Sequence, residues 1–155
     1  MDICSNLPWP SCGLSNLAQH TFTIDGIRCS SMEGFLQSLK FQDLEKQVEI
    51  CKLSCIQVKR SGREQNFVWQ EKQKLWWRGK EIGRHGQEYQ DLLDRAYNLL
   101  FEDESFREAL LMTGDEELTH SIGEQNPHKT VLTEEEYISR ILALRIRARK
   151  QLLLS

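Results

Sequence analysis

Three polar residues at helical spacing, Glu33, Gln37 and Lys40, concentrate more chemistry than any other stretch of this chain. At 3.6 residues per turn they would line one helix face, with Met32, Phe35, Leu36 and Leu39 as the neighbouring apolar stripe. A carboxylate, an amide and an ammonium presented together suit a polar pocket that needs an acid or base, an orienting group and an anion anchor. The same residues carry a purely structural reading. Ser30-x-x-Glu33 matches a capping box, in which the glutamate closes the first helical turn on the backbone, and the remaining polar face is then solvated. Taken alone, the pattern favours the cap.

The elements that would hold these residues follow from period and punctuation. The first twenty residues contain Pro8, Pro10 and Gly13 and little periodicity, which predicts an arm without regular structure. Thr21 to Ile24 and Ile27 to Cys29 alternate about Asp25-Gly26, the signature of a short β-hairpin. Ser30 should cap a helix ending near Phe41, and a second helix is expected over 44–52, with Ser61-Gly62 as a later break. Over 68–77, Trp69, Gln73 and Trp76 recur at i, i+4 and i+7, which predicts a helix followed by a charged loop through Gly79 and Gly83. On such a helix the adjacent Trp76 and Trp77 diverge by about 100°, so one would face a ligand and the other the core.

The strongest helical period begins at Glu88: Tyr89, Leu92, Leu93, Ala96, Tyr97 and Leu100 form a core face. A short helix over 106–112 should stop at Thr113-Gly114-Asp115, where glycine takes the left-handed conformation. Residues 121–129 are expected to be a loop. Thr133-x-x-Glu136 is a second capping box, opening a long final helix with Tyr137, Ile138, Ile141, Leu142 and Leu144 inward. The basic residues Arg145, Arg147, Arg149 and Lys150 would then complement the dipole at its end.

Composition limits the function classes. A length of 155 residues suits one domain with its own core, and a formal net charge of −3 argues against coating nucleic acid through a wholly basic surface. No apolar run approaches the roughly 20 residues of a membrane helix, and the start lacks a basic and apolar leader, so a cytoplasmic protein is expected. Five cysteines (Cys4, Cys12, Cys29, Cys51 and Cys55) are expected as free thiols. Cys51-x-x-x-Cys55 has no second pair or histidine partner, and no metal site is predicted.

Six marks stand in order: Leu14-Ser15-Asn16-Leu17, the Thr23-Ile-Asp-Gly26 hairpin, Glu33-x-x-x-Gln37-x-x-Lys40-Phe41, Trp76-Trp-x-Gly79-Lys80, Leu110-Leu-Met-Thr-Gly-Asp115 and His120-Ser-Ile-Gly123. Together they resemble the NADAR family, also called YbiA-like, over residues 14–145. Two departures mark a divergent branch. Gly34 follows the glutamate where the family often has histidine, and His120-Ser-Ile-Gly123 stands where it has a late Trp-Gly element.

The resemblance implies a mainly helical α+β fold: a single YbiA-like domain over 1–155 (core about 14–147), with a small N-terminal β-hairpin and a long C-terminal helix. It also implies a cofactor-independent N-glycosidase that cleaves the ribose–base or ribose–amine bond of a phosphorylated ribosyl or ADP-ribosyl substrate. Riboflavin-pathway intermediates and ADP-ribosylated guanine, free or in nucleic acid, are the substrates of characterised relatives. Breaking a C1′–N bond builds oxocarbenium character, which calls for a carboxylate, a proton donor for the leaving base and phosphate anchors. With the resemblance added, the balance at Glu33 moves from cap to catalysis. Asp115 is then the candidate second carboxylate and His120 the proton donor. Ser15, Asn16, Gln37 and Lys40 would bind or orient substrate, and Trp76 or Trp77, beside Gly79, would stack on the base. Two rival readings remain: a nucleotide- or ADP-ribose-binding module without turnover, and a structural protein that binds partners through its last helix.

Overall fold

The computed structural model describes the backbone of residues 1–155 and all side chains except those of Cys55 and Ile56. Its first regular elements are a short helix α1 (Ser11–Leu14) and an antiparallel hairpin, β1 (Phe22–Ile24) with β2 (Ile27–Cys29). Asp25 and Gly26 both take positive φ, the twist that a two-residue hairpin turn needs. The Asp25 carboxylate is also a tertiary anchor. It accepts from Trp77 Nε1 at 2.8 Å and from both Arg95 amino groups at 2.9 Å.

Helices α2 (Met32–Ser38), α3 (Leu44–Lys52), α4 (Cys55–Glu64) and α5 (Asn66–Lys72) follow, with α2 packed against both α3 and α4. A second hairpin joins β3 (Lys74–Trp77) to β4 (Lys80–Gly83), turning at Arg78 and Gly79, both with positive φ. Buried Gln47 ties α3 to its neighbours: its amide donates to the carbonyls of Ser38 (3.0 Å) and Trp76 (2.8 Å) and accepts from Arg78 N–H (2.9 Å). Helices α6 (Gln87–Leu100), α7 (Glu104–Met112) and α8 (Glu134–Leu154) complete the chain. The predicted apolar face of α6 is buried at all six positions. Ile3, outside the expected core, is fully buried in the same hydrophobic cluster as that face, and the arm that carries it is bridged to Thr119.

The first hairpin, α3, α6, the Gly114 stop of α7 and the Thr133–Glu136 capping box lie where the sequence places them. Several expectations are corrected. The arm contains α1, because Trp9 lies over Gly13 and Ser11 bonds back to Asp2 and Cys4. Helix α2 starts one residue later and ends three earlier than expected. Ser31, not Ser30, caps it by accepting from Gly34 N–H, while Ser30 donates its hydroxyl to Lys52 O. Ser61-Gly62 does not break the chain but lies inside α4. The helix expected over 68–77 stops at Lys72, with Gln73 left-handed, and Trp76-Trp77 belongs to a strand buried on both faces. Because α8 runs on to Leu154, its basic residues do not end it. They reach sideways instead: Arg145 donates to Thr113 Oγ1 and Glu116 O, Arg147 lies over Phe101, and Arg149 pairs with Asp115.

The four cysteines with described side chains, Cys4, Cys12, Cys29 and Cys51, are free thiols, and the Cys55 thiol lies outside the described side chains. Among the described residues, no helix is long and apolar enough to cross a membrane, and no group of three or more His, Cys, Asp or Glu could hold a metal ion.

Candidate functional site

A cleft of about 270 Å³ opens where the first turn of α2 faces the Ser15-Asn16 segment, the 120–132 segment and the start of α8. Its polar lining includes Ser15, Asn16, Glu33, Gln37, Lys59, His120 and Glu124. Leu17, Leu36, Ile122, Val131, Leu132 and the Tyr137 ring supply the apolar part.

Glu33 reaches this wall because two other groups have taken over the capping work. Ser31 caps the helix, and the Glu33 N–H donates to Asn16 O at 2.8 Å. The carboxylate is thereby free of its own backbone, and it accepts from Gln37 Nε2 at 2.8 Å, one turn further on. Gly34 also has a local reason here. A Cβ at that position would lie 3.0 Å from Cys51 O, so the close packing of α3 on α2 would crowd any side chain there.

The opposite wall is pinned by buried tyrosines. Tyr97 donates its hydroxyl to Asn16 Oδ1 at 2.8 Å, and Tyr137 donates to Leu14 O. Burial pushes both hydroxyls well above their ordinary range, and the Glu33 charge adds to this, so both stay protonated donors. Asn16 Oδ1 is therefore occupied and its amide N–H groups are the part left for a ligand. Ser15 Oγ accepts from Leu17 N–H, the turn-forming contact its type suggested. His120 packs edge-on against Tyr137 with Nδ1 2.8 Å from Ile3 O. A carbonyl only accepts, so Nδ1 carries the proton and Nε2 is left without a described hydrogen bond.

Thus Ser15, Asn16, Glu33, Gln37 and His120, named from the sequence, converge on one cleft. Five other candidates do not line it. Lys40 follows the end of α2 and is buried, donating to Gly62 O at 3.3 Å and Asn66 Oδ1 at 2.6 Å. Burial lowers its pKa to about 8, although the Glu33 charge pulls the other way. Trp76 and Trp77 are both core residues on β3, and Trp77 packs edge-on against Phe35. Gly79 forms the β3–β4 turn. Asp115 is almost wholly solvent-exposed and pairs with Arg149 at 3.0 Å.

Two charged cleft residues escaped the sequence reading. Lys59, exposed on α4, is the cation of the wall, and Glu124 is its second carboxylate. Glu124 follows directly on His120-Ser-Ile-Gly123, a proximity that could have marked it. Nothing local distinguishes Lys59 from the other basic residues of α4.

A family model described as bacteriophage protein GP30.3 matches residues 8–146. An uncharacterized 17.1 kDa protein of the Gp30-rIII intergenic region of Enterobacteria phage T4 is 36% identical over 147 residues, 94% of this chain and 96% of its own length. Among solved structures, the NMR structure of the E. coli protein YbiA superposes with a TM-score of 0.58 at 19% identity, covering 99% of this chain and 84% of YbiA. The expected YbiA-like fold is therefore present.

Proposed function

The chain belongs to the bacteriophage protein GP30.3 family, and we propose that it is an N-glycosidase acting on a phosphorylated ribosyl or ADP-ribosyl substrate. The observation that carries this reading is the convergence of Glu33, Asn16, Gln37 and His120 on one cleft that also holds a cation, Lys59.

In this reading Asn16 N–H groups and Ser15 hold the ribose, and Lys59 attracts the phosphate. As the C1′–N bond breaks, its electron pair passes to the base nitrogen, which takes a proton from Nε2 of a doubly protonated His120, leaving the neutral ring protonated at Nδ1 against Ile3 O. Positive charge grows on C1′ and the ring oxygen, where the Glu33 carboxylate stabilises it and takes a proton from the water that adds to C1′. The products are the free base and a ribose hydroxyl at C1′. Gln37 holds Glu33 in place for this step. Glu124, also in the cleft lining, gives a second carboxylate for orienting water.

The test is incubation with ADP-ribosylated guanine oligonucleotide, ADP-ribose, NAD and phosphorylated riboflavin intermediates, read by mass spectrometry. Release of a free base or amine by the protein, lost in Glu33→Gln, is the expected result. Tight binding of one of these ligands with no released base would replace the enzyme by a nucleotide-binding module.

A further inference from the structure

The Gln37 side chain lies in a slot that exists because residue 62 has no side chain. A Cβ built on Gly62 would stand 1.6 Å from Gln37 Oε1 and 2.4 Å from Cδ, both far inside contact distance, and 3.0 Å from Cγ. Gly62 is also an unfavourable choice for the interior of a ten-residue helix, where alanine holds the backbone better. Its conformation does not call for glycine, since it continues α4. The neighbouring amide is what it accommodates.

That amide is held in one orientation. Its Nε2 donates to Glu33 Oε1 at 2.8 Å, and its Oε1 is the buried side-chain oxygen left without a hydrogen-bond partner among the described residues. Turning the amide over would set a carbonyl oxygen against the carboxylate, two acceptors face to face. The fold thus tolerates an unsatisfied oxygen and a helical glycine together, and both are explained by keeping Gln37 on Glu33. Lys40 holds α4 at this distance, because its ammonium donates to the Gly62 carbonyl itself.

We infer that Gly62 is a positioning residue for Glu33: it admits the Gln37 amide, and the amide fixes the carboxylate at the cleft. This rests on the functional reading of Glu33, but its test does not. In the 15N spectrum of the wild-type protein, the Gln37 side-chain NH2 should be shifted and slow to exchange, as a charge-assisted bond to a carboxylate requires. In Gly62→Ala those signals should move to the position of a free amide. Retention of the wild-type signals in Gly62→Ala would overturn the inference, whether or not any substrate is turned over.

Where a substrate is turned over, Gly62→Ala should lower kcat at least tenfold with KM changed less than twofold, and Gln37→Ala should do the same. The double variant should be no worse than Gln37→Ala, since alanine at 62 then meets no amide. Additive losses would instead make Gly62 a packing residue and overturn the inference. Should Gly62→Ala fail to fold, recovery of the fold in the double variant supports the inference, and failure of both contradicts it.

Discussion

Two glutamates in this chain stand three residues after a serine or threonine at a helix start, and their fates are opposite. Glu136 forms the capping box that Thr133-x-x-Glu136 spells: it accepts from Thr133 N–H at 2.8 Å while Thr133 Oγ1 accepts from Glu136 N–H. It further receives the buried Arg84 guanidinium at 2.7 and 3.2 Å and Gln90 Nε2 at 2.6 Å. Glu33, with the same spelling behind Ser30, is relieved of that duty by Ser31 and Asn16 and turns to the cleft with a single amide as its described partner. Saturation with partners marks a structural carboxylate. A sparsely held one beside a cleft is available for chemistry.

Breaking the structural side should have the largest effect on stability. Glu136→Gln leaves Arg84, 1% exposed, without its counter-charge, and should cost about 3 kcal/mol by denaturant unfolding at pH 7. The pH dependence follows from the same contacts. Burial works against ionisation of Glu136, but bonds from Arg84, Thr133 N–H and Gln90 hold its pKa down to about 2, below the 4.5 of an unperturbed carboxylate. A lowered acid pKa stabilises the fold above pH 4.5 and loses that contribution as pH falls towards 2. The gap between wild type and Glu136→Gln should therefore close over that window. A gap that persists at pH 2 would assign the loss to packing.

Lys40 gives a slope of the same sign in an alkaline window, and a smaller effect. Its pKa is lowered from 10.5 to about 8 by burial, so the unfolded chain binds the extra proton between these values. Stability should rise with pH across that window, by up to about 2–3 kcal/mol relative to Lys40→Met. Parallel profiles for the two proteins would show that Lys40 stays solvated. The finest contrast lies between neighbouring serines: Ser31→Ala should cost about 1 kcal/mol as a lost cap, and Ser30→Ala less than about 0.5 kcal/mol. Equal losses would restore the capping box to Glu33.

These contrasts also show what was legible in the sequence. The β1–β2 hairpin could be read from alternation about Asp25-Gly26, and α6 from its period, because each is fixed by neighbours in the chain. The β3–β4 hairpin could not. Leu75, Trp76 and Trp77 are all buried, so no alternation survives, and Arg78-Gly79 lacks the Asn or Asp that announces such a turn. Lys40 was placed on a helix face that ends at Ser38. The far wall of the cleft comes from residues 120–137, and its meeting with Glu33 is a tertiary event that no local pattern encodes. Glu33, Gln37 and Asn16 were found because two of them share a helical face and the third sits in a motif of the resembled family.

The central claim is that Glu33 serves the cleft and Glu136 the fold. Glu33→Gln and Glu136→Gln, measured side by side for base release and for thermal midpoint, test it directly. Glu33→Gln should lose at least about a hundredfold in turnover while its stability stays within about 1 kcal/mol of wild type, and Glu136→Gln should lower the midpoint and keep its turnover per folded molecule. A Glu33→Gln protein that is destabilised like Glu136→Gln yet still fully active would contradict it.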